Sequence, residues 1–103
     1  MSVKSVKVGD LAMLESGEML RVEVSGLCVL LANIDGRIFA IDDTCTHEDA
    51  SLSNGSLRGE FVKCPLHGSQ FNVCTGQAVD EPAERDLKSY PVRVEGTSIL
   101  IEL

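Results

Sequence analysis

Both histidines of this 103-residue chain follow closely on a cysteine, as Cys45-Thr46-His47 and as Cys64-Pro65-Leu66-His67, with residues 48–63 between the clusters. Thiolates and neutral imidazoles are strong transition-metal ligands. Delivered as C-x-H and C-x-x-H, these four donors suit three kinds of centre. Zinc accepts two thiolates and two imidazoles, but its usual knuckles group cysteines with cysteines and histidines with histidines. Here each knuckle is mixed. Zinc also tends to staple domains too small to fold alone, and this chain is 44% hydrophobic; zinc stays an alternative. A mononuclear iron site built on two histidines and a carboxylate would leave Cys45 and Cys64 idle in matching positions. A [2Fe–2S] cluster with one iron on two cysteines and the other on two histidines uses all four. Neutral imidazoles take negative charge out of the ligand set, leaving an oxidised cluster of roughly zero charge and a reduced one of about −1, against −2 and −3 with four thiolates. Such a centre is easier to reduce and less costly to hold near a low-dielectric surface.

What must position these donors is a set of short strands. Glu18 to Val24 alternates polar and apolar, as a half-buried strand should. Leu27 to Ile34 is a more continuous apolar run, then Asp35-Gly36 signals a hairpin into RIFAID. The segments 61-FVK-63 and 70-QFNV-73 flank the second cluster, and 89-SYPVRVE-95 turns at Gly96-Thr97 into 98-SILIEL-103. Helical periodicity is weak, save for a short turn following Gly9-Asp10. The tract 48-EDASLSNGSLRGE-60 should hold turns and one short hairpin. The expectation is an all-β domain of small antiparallel sheets, with both clusters at loop tips beside strand ends.

A length of 103 residues suits a single domain, 1–103, with its own core. A net charge of −7 argues against nucleic acid and fits either plain solubility or docking to a basic partner. No apolar run approaches the roughly 20 residues of a membrane span. The start, MSVKSVKVGD, lacks both the apolar core of a secretory signal and a twin-arginine pair, so a soluble cytoplasmic protein is expected. In a reducing cytosol, four cysteines interleaved with histidines read as ligands rather than as two disulfides.

The two clusters, their spacing, the lead-in RIFAIDDTCTH, the loop CPLHGSQFNVCTG and the YPV-containing closing hairpin resemble the small Rieske ferredoxins of bacterial aromatic-ring-hydroxylating dioxygenase systems. The resemblance implies a Rieske-like β sandwich or barrel carrying one [2Fe–2S] cluster at the tip of two loops. By the same resemblance, Cys45 and Cys64 bind the inner iron and His47 and His67 the outer, surface-facing iron. A third loop containing Pro82 would shield the cluster. Respiratory Rieske proteins add a disulfide between the two loops; Ala50 and Leu66 stand at those places, so Cys28 and Cys74 cannot form it. Of two hydroxyl donors found there, Ser69 retains one and Phe71 replaces the other, which implies a potential in the lower half of the Rieske range.

Other features have plainer readings. Cys28 in its apolar strand is expected to pack as a small buried hydrophobe, and Cys74 to be a spare thiol. Asp42, Asp43, Glu48 and Asp49 suit either a docking rim or turn chemistry, and Gly55, Gly59, Gly68 and Gly76 suit turns. No histidine remains for a mononuclear oxygenase iron, and no G-x-G-x-x-G follows a strand to hold NAD or FAD. The expectation is therefore an electron carrier, not an enzyme. It would take electrons from a flavoprotein ferredoxin reductase and pass them to a terminal oxygenase. The alternatives are the small Rieske-like subunit of an assimilatory nitrite reductase and, from another class, a zinc-stapled interaction module.

Overall fold

The computed structural model describes residues 5–43, 52–64, 70–79 and 87–102. Ten strands cover most of them: β1 (Ser5–Asp10), β2 (Met19–Val24), β3 (Leu27–Ile34), β4 (Arg37–Asp42), β5 (Ser56–Arg58), β6 (Phe61–Lys63), β7 (Gln70–Asn72), β8 (Ser89–Tyr90), β9 (Val92–Glu95) and β10 (Ser98–Glu102). They form three antiparallel sheets, ordered β1-β10-β9, β2-β3-β4-β8 and β5-β6-β7. The all-β expectation holds. Among the described residues the only helical pieces are single 3₁₀ turns, Leu11–Met13 and Leu52–Asn54.

The apolar run of β3 is explained by burial on both faces. Leu30 and Ala32 join one core with Ile41, Leu52, Val62 and Phe71, whereas Val29 and Leu31 join another with Leu14, Ile38, Ile99 and Ile101. The sheet β2-β3-β4-β8 is thus the middle layer. Each fully buried Leu, Ile, Val or Phe side chain contributes about 1.5–3 kcal/mol of transfer free energy, so these two cores dominate stability. Register is pinned by two-residue turns. Ser25-Gly26 (φ 50° and 79°) joins Val24 to Leu27, and Asp35-Gly36 (φ 53° and 90°) joins Ile34 to Arg37. Paired positive φ values give the turn whose twist matches the flanking strands. Buried Asn33 fixes the second turn: its side chain accepts from Gly36 N at 2.8 Å and donates to Leu14 O at 2.9 Å.

Strand β1 is absent from the sequence reading, and its composition shows why. It is an outer strand with a bulge between Lys7 and Gly9, so its alternation is broken. Asp10 ends it as a cap, accepting from Ala12 N at 3.0 Å and from Thr97 Oγ1 at 3.0 Å. Those bonds, Ala12's first, hold its carboxyl below the usual range. The run 89–95 is two strands, not one. Pro91 has no N–H for a ladder, and there the chain passes from pairing with β4 to pairing with β10.

Candidate metal centre

Of the four expected donors, Cys64 lies within the described residues; Cys45, His47 and His67 lie outside them, as do Pro82, Ser69, Gly68, Glu48 and Asp49. The structure does, however, describe where each donor-bearing segment leaves the sheets and returns.

Segment 44–51 is entered at Asp43, which the sequence reading grouped with a docking rim. Instead Asp43 is 1% exposed. Its N–H donates to Cys28 O, its carbonyl accepts from Leu52 N, its Oδ1 accepts from Ser53 N at 2.9 Å, and its Oδ2 lies 3.2 Å from Arg21 Nε. A buried carboxylate is stable only when so satisfied. The result is a clasp that joins the two ends of the segment, with Leu52 fully buried beneath it. Asp42 is no rim residue either, since it accepts a 2.6 Å hydrogen bond from Tyr90 Oη. Burial first, and that carboxylate second, push the Tyr90 phenol above its ordinary value.

Segment 65–69 is the tip of the β6–β7 hairpin, whose last pair is Lys63 with Gln70. Cys64 follows β6 directly, is 2% exposed, forms no disulfide, and packs in the core that contains Leu52 and Phe71. Gly55 brings the two segments together. A Cβ there would stand 1.9 Å from Lys63 O, so only glycine permits the backbone after the first clasp to lie against the strand that delivers Cys64. Gly76 plays the same part for segment 80–86. Its φ is +82°, a Cβ would stand 2.1 Å from Leu87 O, and Leu87 N donates to Gly76 O. Two glycines expected as ordinary turn residues are thus close-approach points.

Cys28 departs from its expected role. It is half-buried, and Arg21 Nη2 lies 3.1 Å from its sulfur. The cause is its place opposite Glu23 in β2, at the open end of the β2–β3 pair beside Arg21 and Asp43. Cys74 is also half-buried and free; desolvation, with Glu60 nearby, raises its thiol pKa. Among the described residues no group of three or more His, Cys, Asp or Glu side chains gathers to hold a metal.

A domain family described as the Rieske [2Fe-2S] domain matches residues 4–91. The chain belongs to this family. The Rieske domain is 39% identical over 103 residues to the ferredoxin component of the naphthalene 1,2-dioxygenase system of Pseudomonas putida, with 100% of this chain and 99% of that protein covered. It is 43% identical over 95 residues to the ferredoxin component of biphenyl 2,3-dioxygenase from Rhodococcus jostii (strain RHA1), covering 92% and 86%. Its fold superposes on Sphingomonas yanoikuyae B1 ferredoxin with a TM-score of 0.92 at 31% identity, covering 97% and 99% of the two chains. A chain from a complex of reduced oxygenase and oxidised ferredoxin in carbazole 1,9a-dioxygenase matches with a TM-score of 0.89 at 34% identity, covering 94% and 91%. A Rieske-type [2Fe–2S] cluster is therefore the cofactor, and the zinc and mononuclear alternatives are set aside. A buried, disulfide-free thiol at the base of the second segment is the donor such a cluster needs for its inner iron.

Proposed function

We propose that this chain is a single-domain cytoplasmic Rieske ferredoxin that carries single electrons from an NAD(P)H-dependent flavoprotein reductase to the terminal oxygenase of an aromatic-ring dioxygenase system. The end-to-end match to a dioxygenase ferredoxin component carries this reading. A match to a chain from an oxygenase–ferredoxin complex supports the oxygenase as acceptor. Cys45 and Cys64 would hold the inner iron, and His47 and His67 the outer. Bound there, the cluster supplies a one-electron store of modest charge.

The chain's own residues do the rest. The Asp43 clasp and Gly55 hold two donor-bearing segments at fixed separation, and the core around Leu52 and Phe71 excludes water from the Cys64 side. With the inner side sealed by buried apolar groups, exchange of electrons falls to the histidine side. The test is stopped-flow mixing of the reduced protein with a terminal oxygenase encoded beside it, after reduction by the neighbouring reductase. Transfer in both steps is expected; absence of transfer to any such oxygenase contradicts the proposal.

A further inference from the structure

The outward face of the β5-β6-β7 sheet has a composition at odds with the rest of this acidic chain. Leu57, Val62 and Phe71 point inward, so Ser56, Arg58, Phe61, Lys63 and Gln70 point out and line a depression of about 450 Å³. Arg58 pairs with Phe61 across the ladder, placing Lys63 diagonal to Arg58, a separation of about 7–8 Å in an antiparallel pair. Two cations set so close repel one another, yet neither makes an ion pair among the described residues. Glu60, the carboxylate in the adjoining turn, is engaged by Asn72 Nδ2 at 3.0 Å. Between the cations Phe61 is 36% exposed. Arginine and aromatic residues are enriched at protein interfaces, and unpartnered cations on a chain of net charge −7 are complementary to an acidic surface, not to another basic one. Lys63 directly precedes Cys64, so a protein seated on this face lies beside the segment that carries His67.

We propose that this face, centred on Arg58, Phe61 and Lys63, docks a carboxylate-rich surface of one of the two electron partners. The rest of the chain's acidic surface is left to meet the other. The inference rests on the carrier function proposed above. Its test uses the cluster-loaded full chain in stopped-flow transfer with the reductase and, separately, with the oxygenase, at low and high salt. Arg58→Glu and Lys63→Glu are each expected to slow transfer with one partner roughly tenfold at low salt, with the loss shrinking as salt screens it. Phe61→Ala should slow it severalfold at every salt concentration. Arg93→Glu makes the same change in net charge on β9, outside this face, and should alter neither rate by more than about twofold. The paramagnetic signal of each reduced variant should match wild type, showing the cluster intact. If wild type transfers normally and the face variants behave like Arg93→Glu, the docking surface is overturned while the carrier function stands. If wild type transfers to neither partner, both fall. Concentration-dependent self-association in wild type, lost in Arg58→Glu, would make a second copy the occupant and overturn the acidic-partner assignment.

Discussion

Around Leu31, side chains of the middle sheet are buried from both sides, and neighbouring strands meet through apolar contact. Around Gly55 the strands are three residues long, and the decisive contact is one backbone lying on another with no room for a methyl group. The first region obtains stability from transferred area; the second obtains position from fit. A redox site needs both, because its donors must be fixed to a fraction of an ångström on segments that contribute little apolar burial themselves.

Four substitutions separate the two regimes. Leu31→Ala should remove about 2–5 kcal/mol of stability, measured by denaturant unfolding, while the protein still folded at low denaturant keeps its full iron content. Gly55→Ala should do the reverse. Its added Cβ drives the carbonyl of Lys63 away and moves Cys64, so iron and sulfide fall well below wild type although the cost in stability is only about 1–3 kcal/mol. Wild-type iron content in Gly55→Ala would contradict the positional role.

Asp43→Asn keeps the size and one acceptor for Ser53 N but loses the charged bond to Arg21. Because the Arg21 side chain is 47% exposed, solvent screens much of that pair, and a loss of about 1–2 kcal/mol is expected, with slower cluster loading. The smallest effect should come from Tyr90→Phe at neutral pH, about 1 kcal/mol for one partly buried hydrogen bond. Its pH dependence is sharper. The native state holds the Tyr90 proton more tightly than the unfolded chain does. This contribution is full below about pH 10, where an unfolded phenol titrates, and is lost as pH climbs from there toward the native value. Tyr90 is the chain's only tyrosine, so ultraviolet difference absorbance reads its titration directly. Wild type should lose stability above about pH 10 along a slope that Tyr90→Phe lacks.

The sequence reveals the buried base more fully than the clasped end. Apolar alternation and an Asp-Gly turn set the bounds of β3 and β4 as observed, because side-chain periodicity is what the two cores select. Strand β5 is hidden in a Ser/Gly-rich tract since only Leu57 of its three residues faces inward. The Asp43–Arg21 pair joins residues on different strands, with no local spacing to betray it. Gly55 reads as a turn glycine, and only the approach of Lys63 shows its purpose. The donor pattern itself was legible because C-x-H and C-x-x-H are local; how their segments are held is a tertiary matter.

The central claim is that two cysteines and two histidines, on segments clasped at Asp43 and Gly55, hold a single binuclear cluster. Pulsed electron paramagnetic resonance of the reduced protein tests it most directly. Two strongly coupled imidazole nitrogens are expected, with the two-nitrogen pattern lost in His47→Ala and in His67→Ala. A reduced cluster showing no nitrogen coupling, or a pattern indifferent to both substitutions, would contradict the ligand assignment.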